Sequence, residues 1–115
     1  MIHDFHPVLT IRIFGEEKCF GPGVAILMKK VAELHSLRAA AMSIGMAYSK
    51  AWTIVRNAQT QLGFKLLETT TGGRHGGGAV LTPEGIKLLE AYEQYCQQLR
   101  EYAAEQFSER FADIL

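Results

Sequence analysis

Two helix-length patterns, each ended by a glycine and lying almost back to back, constrain this chain more than any other feature. Ser36 can cap a short helix through Leu37, Ala40, Ala41 and Ile44, and Gly45 can end it by adopting the positive φ of a helix C-cap. Residues 48 to 62 then repeat at helical spacing, with Ala51, Trp52, Ile54, Val55, Ala58 and Leu62 on the buried side and Gly63 as the stop. Small residues at 40 and 41 let the two helices cross steeply, which predicts a helix-turn-helix over about 36–62.

In a helix-turn-helix that reads duplex DNA, the second helix enters the major groove and its first residues touch base edges. Here those residues are Ala47, Tyr48, Ser49, Lys50 and Thr53, followed by Arg56 and Asn57, facing away from Trp52 and Val55. An ordinary corner between two helices would show the same apolar pattern, with Lys50 and Arg56 as solvated surface. Charge separates the two readings. Residues 36–82 carry Arg38, Lys50, Arg56, Lys65 and Arg74 against Glu68 alone, a local excess that a plain corner does not explain.

That excess is invisible in the whole chain, whose twelve basic and twelve acidic residues cancel. Residues 1–35 balance at four of each, and residues 83–115 set three basic residues against seven acidic ones. A net charge of zero excludes a uniformly basic coat or a polybasic membrane anchor. It does not exclude a basic face. Phosphate would repel the acidic end and so help turn the basic middle toward DNA.

The flanking segments complete one domain over 1–115. Val8 to Phe14 alternates apolar and polar residues as a short strand ending at Gly15, and EEKCFGPG follows as a turn. Val24, Leu27, Met28, Val31 and Leu34 predict a first amphipathic helix. Residues 66–82 have strand-like ends around five glycines between Gly72 and Gly78, which predicts a hairpin. Thr82-Pro83-Glu84 starts a last helix, with a hydroxyl at the N-cap, proline at the first helical position and an acid at the positive dipole end. That helix runs to about residue 111, roughly 42 Å at 1.5 Å per residue, more than a domain this small can cover. The expected class is mainly α with a small β hairpin (α+β).

The runs SLRAAAMSIGMAYSKAWTIVRNAQTQLGFKLL (36–67) and TGGRHGGGAVLTPEGIKLLEAY (71–92) resemble the N-terminal DNA-binding domain of ModE-type molybdate-responsive regulators, a winged helix of the LysR kind. The pairing of AYSKAW (47–52) with the glycine-rich 71–82 segment is much more specific than a bare helix-turn-helix. The resemblance implies a winged helix-turn-helix, with the wing over about 66–82, that dimerises through its long helix and regulates transcription. Carried over by position, Tyr48, Ser49, Lys50 and Thr53 fall where the recognition helix meets DNA, Arg74 and His75 fall on the wing tip, and Trp52 and Leu62 fall on core positions. Thr69, after Glu68, stands where the family usually has an arginine, a departure that removes one backbone contact. Full-length regulators of this type also carry oxyanion-binding modules that do not occur in these 115 residues, so no molybdate sensing is inferred.

Leu89, Tyr92, Cys96, Leu99 and Ala103 alternate three and four apart along the last helix, the spacing of a coiled-coil seam. The same stripe could pack on its own domain. A second stripe of Leu88, Tyr95 and Tyr102 points to both uses, one face inward and one toward a partner. The expectation is a homodimer that holds two reading heads about 34 Å apart, matching successive major-groove faces of a near-palindromic site.

The expected partner is double-stranded DNA, read by Tyr48, Ser49, Lys50, Thr53 and Arg56, with Arg38, Lys65 and Arg74 as positioning charges. GGRHGGGA ends neither in the Gly-Lys-Ser/Thr of a phosphate loop nor in a helix, so no nucleotide cofactor is expected. His3, Asp4 and His6 are a weak metal pattern at a terminus, and no metal is expected. Cys19 and Cys96 lack CxxC spacing and read as reduced thiols in a cytoplasm. No leader, membrane span or catalytic constellation is evident, which argues against an enzyme. Two other readings stay open: a dimeric protein-interaction module on the same scaffold, and an oxyanion sensor using the glycine loop.

Overall fold

Phe20, Leu27, Met28 and Val31 are fully shielded from solvent, and the helices and an N-terminal hairpin meet around them. The computed structural model describes residues 4–70 and 78–115. Its elements run β1 (Ile13–Phe14), β2 (Lys18–Phe20), α1 (Pro22–Leu34), α2 (Leu37–Ser43), α3 (Tyr48–Leu62), β3 (Leu67–Thr70), β4 (Gly78–Leu81) and α4 (Pro83–Phe111). The arrangement is an α+β winged helix with a long last helix, the expected class.

The N-terminal region departs from expectation. The strand expected over Val8–Phe14 is confined to Ile13–Phe14, and β2 pairs antiparallel with it out of the segment expected to be a turn. Glycine, proline and the charges of EEKCFGPG suggest a turn, but Cys19 and Phe20 between them are apolar and buried, and they draw this segment into the core. Val8, by contrast, is 80% exposed; the alternation over 8–13 holds, with Leu9, Ile11 and Ile13 half-buried between exposed Val8, Thr10 and Arg12, but only Ile13 and Phe14 are paired as a strand. Residues in this stretch are held to α4 instead: the Tyr92 hydroxyl donates to the Ile11 carbonyl at 2.6 Å.

Helix α1 begins at Pro22, two residues before its first buried side chain, because proline is well suited to the first helical position. It buries Val24, Ala25, Leu27, Met28 and Val31. His35 follows with φ 56°, a left-handed residue that turns the chain sharply into α2. Its carbonyl accepts from the Ala79 amide at 2.9 Å, which fastens the α1–α2 corner to β4. Gly78 makes this approach possible, since a Cβ there would lie 2.8 Å from the same oxygen.

Strands β3 and β4 pair antiparallel in the register Leu67–Leu81 to Thr70–Gly78. Thr82 then joins the hairpin to α4: its buried hydroxyl donates to the Lys65 carbonyl at 2.6 Å and accepts from the Gly85 amide at 2.9 Å. One hydroxyl thus closes the hairpin and caps the helix.

Helix α4 has 29 residues, but its buried positions are only Gly85, Leu89, Tyr92 and Cys96. Tyr92 sets its ring edge against Phe20 at 5.0 Å. Burial first, then the Cys96 side chain, push its phenol up to about 12. Beyond Cys96 the helix leaves the core, which gives the molecule a long axis of 62 Å against 28 and 21 Å across. The expected seam is therefore divided. Leu89, Tyr92 and Cys96 pack in the core of their own chain, whereas Leu99 and Ala103 lie on the overhang and are half-buried. Three-four spacing marks a helix face that packs, and does not by itself say whether the packing is within or between chains.

Candidate nucleic-acid interface

The start of α3 owes its position to a small core. Leu37, Ala40 and Ala41 of α2 are buried against Ala51, Val55 and Ala58 of α3, and with alanines at four of these positions the backbones can come close. The turn between them is tied by Ile44 and Met46, whose amides donate to the Ala41 carbonyl at 3.2 and 2.9 Å, and by Gly45 with φ 69°. Ala47 is the N-cap residue of α3 and offers no side-chain cap.

Opposite this core, α3 presents a polar face. At 100° per residue, Ser49, Thr53, Arg56 and Thr60 fall within an arc of about 60°. All four are exposed, as are Ala47, Lys50 and Asn57 nearby. Thr53 and Thr60 turn their hydroxyls back to the carbonyls of Ser49 and Arg56 at 3.0 and 2.9 Å. Their oxygens remain able to accept from a partner. Lys50, Arg56 and Lys65 form no ion pair among the described residues, whose ion pairs are Lys29–Glu93 and Lys30–Glu33. This side of the molecule carries uncompensated positive charge.

Arg38 and Tyr48 occupy a different place from the rest. The guanidinium of Arg38, on α2, lies over the Tyr48 ring at 4.2 Å, and the Tyr48 edge meets Trp52 at a ring separation of 6.4 Å. Tyr48 is half-buried, and one face of its ring is occupied. It braces the turn and fixes a cation beside the exposed arc.

Lys65 lies exposed at the base of the hairpin, where a groove of 340 Å³ is lined by Trp52, Gln59, Lys65, Leu67, Glu68 and Thr69. Thr69, where the resemblance leads one to expect arginine, is exposed and pairs with Ala79. Arg74 and His75 lie outside the described residues. The structure thus brings Ala47, Ser49, Lys50, Thr53 and Arg56 together at one helix, sets Arg38 across the turn and places Lys65 to one side.

Two glutamines that position this face carry no signal in the sequence. The Oε1 atom of Gln59 accepts from the amides of Leu66 and Leu67 at 2.8 and 3.2 Å, fixing the start of the hairpin to α3. The Oε1 atom of Gln61 accepts from Glu16 and Glu17, both at 3.2 Å, fixing the N-terminal hairpin to the other side. A polar residue near a helix end looks the same in sequence whether it meets water or a backbone amide.

Residues 26–86 match the family model of the bacterial regulatory helix-turn-helix proteins of the lysR family, more than half of the chain. The chain belongs to that family. The matched segment runs from within α1, through both helices of the motif and the hairpin, to the first turn of α4. Among curated proteins, the chain is 33% identical to the DNA-binding transcriptional dual regulator ModE of Escherichia coli over 78% of its own length and 34% of the relative's. It is 35% identical to the molybdenum transport protein ModE of Herbaspirillum seropedicae over 59% of its length and 25% of the relative's. With the molybdenum-pterin-binding protein MopB of Rhodobacter capsulatus it shares 39% identity over 57% of its length and 24% of the relative's. The resemblance to ModE-type regulators therefore holds, over a chain that spans a quarter to a third of these relatives. No helix among the described residues of this LysR-family chain is long and apolar enough to cross a membrane.

Proposed function

We propose that this chain is a sequence-specific duplex-DNA-binding transcriptional regulator that acts as a homodimer and is not an enzyme. The observation that carries the reading is the exposed arc of α3, where hydroxyls and unpaired cations stand on a helix held out by a buried helix-turn-helix core. An α-helix fits the major groove, and these side chain types donate to and accept from base edges there. Ala47, Ser49, Lys50, Thr53 and Arg56 form the reading face. Arg38, steadied on Tyr48, and Lys65 contact phosphate, joined by Arg74 and His75.

The homodimer is supported by the outer side of α4, where Tyr95 is 53% exposed beside the core-facing stripe and, past Cys96, Tyr102 is 62% exposed near half-buried Leu99 and Ala103. Aromatic side chains standing in solvent on a helix whose far half leaves the core of its own chain favour a second copy over water. Selection of bound duplexes from a random pool tests both parts together. A near-palindromic consensus with half-sites one helical turn apart is the expected result, and failure to bind any duplex at low salt overturns the reading.

A further inference from the structure

We infer that Arg12 and Lys18, from the N-terminal hairpin, form a second phosphate-binding flank beside α3, on the side away from β3 and β4. The inference rests on the duplex-DNA reading above and extends it to a stretch of chain whose charges cancel in sequence. A helix with its side chains is about 10 to 12 Å across and the major groove is about 12 Å wide, so whatever flanks a docked helix meets the two sugar-phosphate walls. Helix α3 has two such flanks. Trp52 and Gln59 face the hairpin that carries Lys65. Ile54 and Gln61, roughly opposite on the helix at 100° per residue, face the N-terminal hairpin.

On that second flank lies a groove of 440 Å³. One wall is Ile54 and Asn57 of α3; the other is Arg12, Lys18 and the Gly21–Gly23 start of α1. Asn57 adjoins the exposed arc, so the groove opens beside Thr53 and Arg56. Arg12 and Lys18 are exposed and have no hydrogen-bond or ion-pair partner among the described residues. Two cations converging on one groove, neither neutralised from within the chain, suit a phosphodiester. The start of α1 reinforces them, because no side chain caps it and no carboxylate stands in its first turn to oppose an anion.

The balanced count over residues 1–35 conceals this. Lys29 and Lys30 are neutralised on α1 by Glu93 and Glu33. Glu16 and Glu17 sit at the hairpin tip beside the last turn of α3, where their amides bond Gln61. The cationic flank therefore covers the middle of α3 and ends before its last turn.

The test is the salt dependence of binding for the full chain and for Arg12→Gln/Lys18→Gln, measured on a duplex selected from a random pool and on a scrambled one. Each phosphate contact contributes a slope of about 0.9 in log affinity against log salt, so the double variant should flatten the slope by about 1.8 for each bound protomer, about 3.6 for the homodimer. It should also bind both duplexes about tenfold or more weakly at 0.1 M salt, with the ratio between them unchanged. Lys30→Gln, away from the groove, should keep the parent slope, and circular dichroism checks that each variant folds. A double variant that folds and keeps the parent slope overturns this inference while leaving the proposed function standing. A changed ratio between the duplexes overturns it too, by making the pair base readers. A parent chain that binds neither duplex overturns both.

Discussion

The guanidinium of Arg38 lies 4.2 Å from the centre of the Tyr48 ring, joining the two helices of the motif across their turn. Arg38 is exposed and Tyr48 half-buried, so the contact is only partly desolvated and worth about 0.5 to 1 kcal/mol. A double-mutant cycle with Arg38→Ala and Tyr48→Ala should give a coupling of that size in denaturant unfolding. Tyr48→Phe keeps the ring face and should keep the coupling. If phenylalanine preserves stability and also leaves the preferred DNA sequence unchanged, Tyr48 braces the turn; a shift in preferred sequence would make its hydroxyl a reader.

Lys50 stands in the first turn of α3, exposed and without an ion-pair partner among the described residues. Lys50→Ala should weaken binding to the selected duplex by about 1 to 3 kcal/mol, and by less when the base pair it meets is changed. Titration of parent and variant against a panel of single-base variants checks this. A loss equal on every duplex would assign Lys50 to phosphate.

Gln59 is the one side chain shown to bond both amides at the start of the second hairpin. Leu66 and Leu67 are buried, so Gln59→Ala leaves two amides without their side-chain acceptor, at about 1 to 3 kcal/mol for each that water cannot reach. Thermal unfolding should show the chain destabilised by about 1 to 3 kcal/mol if one amide stays dry and by up to about twice that if both do. Gln59→Glu keeps an acceptor at the same reach and should recover most of the loss.

The helix-turn-helix was legible because its signals are local. Ser36 accepts from the Ala39 amide at 3.0 Å as an N-cap, and Gly45 and Gly63 take φ values of 69° and 82° where the stops were expected. Long-range partners were not legible. Nothing in the sequence tells that Cys19 and Phe20 turn inward while Val8 stays in water, or that His35 adopts a left-handed conformation and offers its carbonyl to Ala79. The stripe on α4 was visible, but Leu89, Tyr92 and Cys96 are taken up by their own chain, and only the length of the helix hinted that part would be left over. Counting charges by segment found the basic middle, yet it could not find Arg12 and Lys18, which lie apart in sequence from α3 and meet it only through the fold.

Tyr92 makes stability depend on pH at the alkaline end. Burial disfavours the phenolate, and its pKa rises from 10.0 to about 12 in the folded chain. Between those values the folded state holds a proton that the unfolded state has released, so stability falls as pH rises. The contribution is fully present below about pH 10 and disappears as pH climbs toward 12. Tyr92→Phe keeps the ring against Phe20 but has no proton to lose and gives up the bond to the Ile11 carbonyl. The variant should therefore be less stable than the parent at neutral pH, by about 0.5 to 1.5 kcal/mol, and should lose less between pH 9 and 11. Urea unfolding at pH 7, 9, 10 and 11 measures both. Parallel declines for parent and variant would show that other groups, and not the Tyr92 phenol, govern alkaline unfolding.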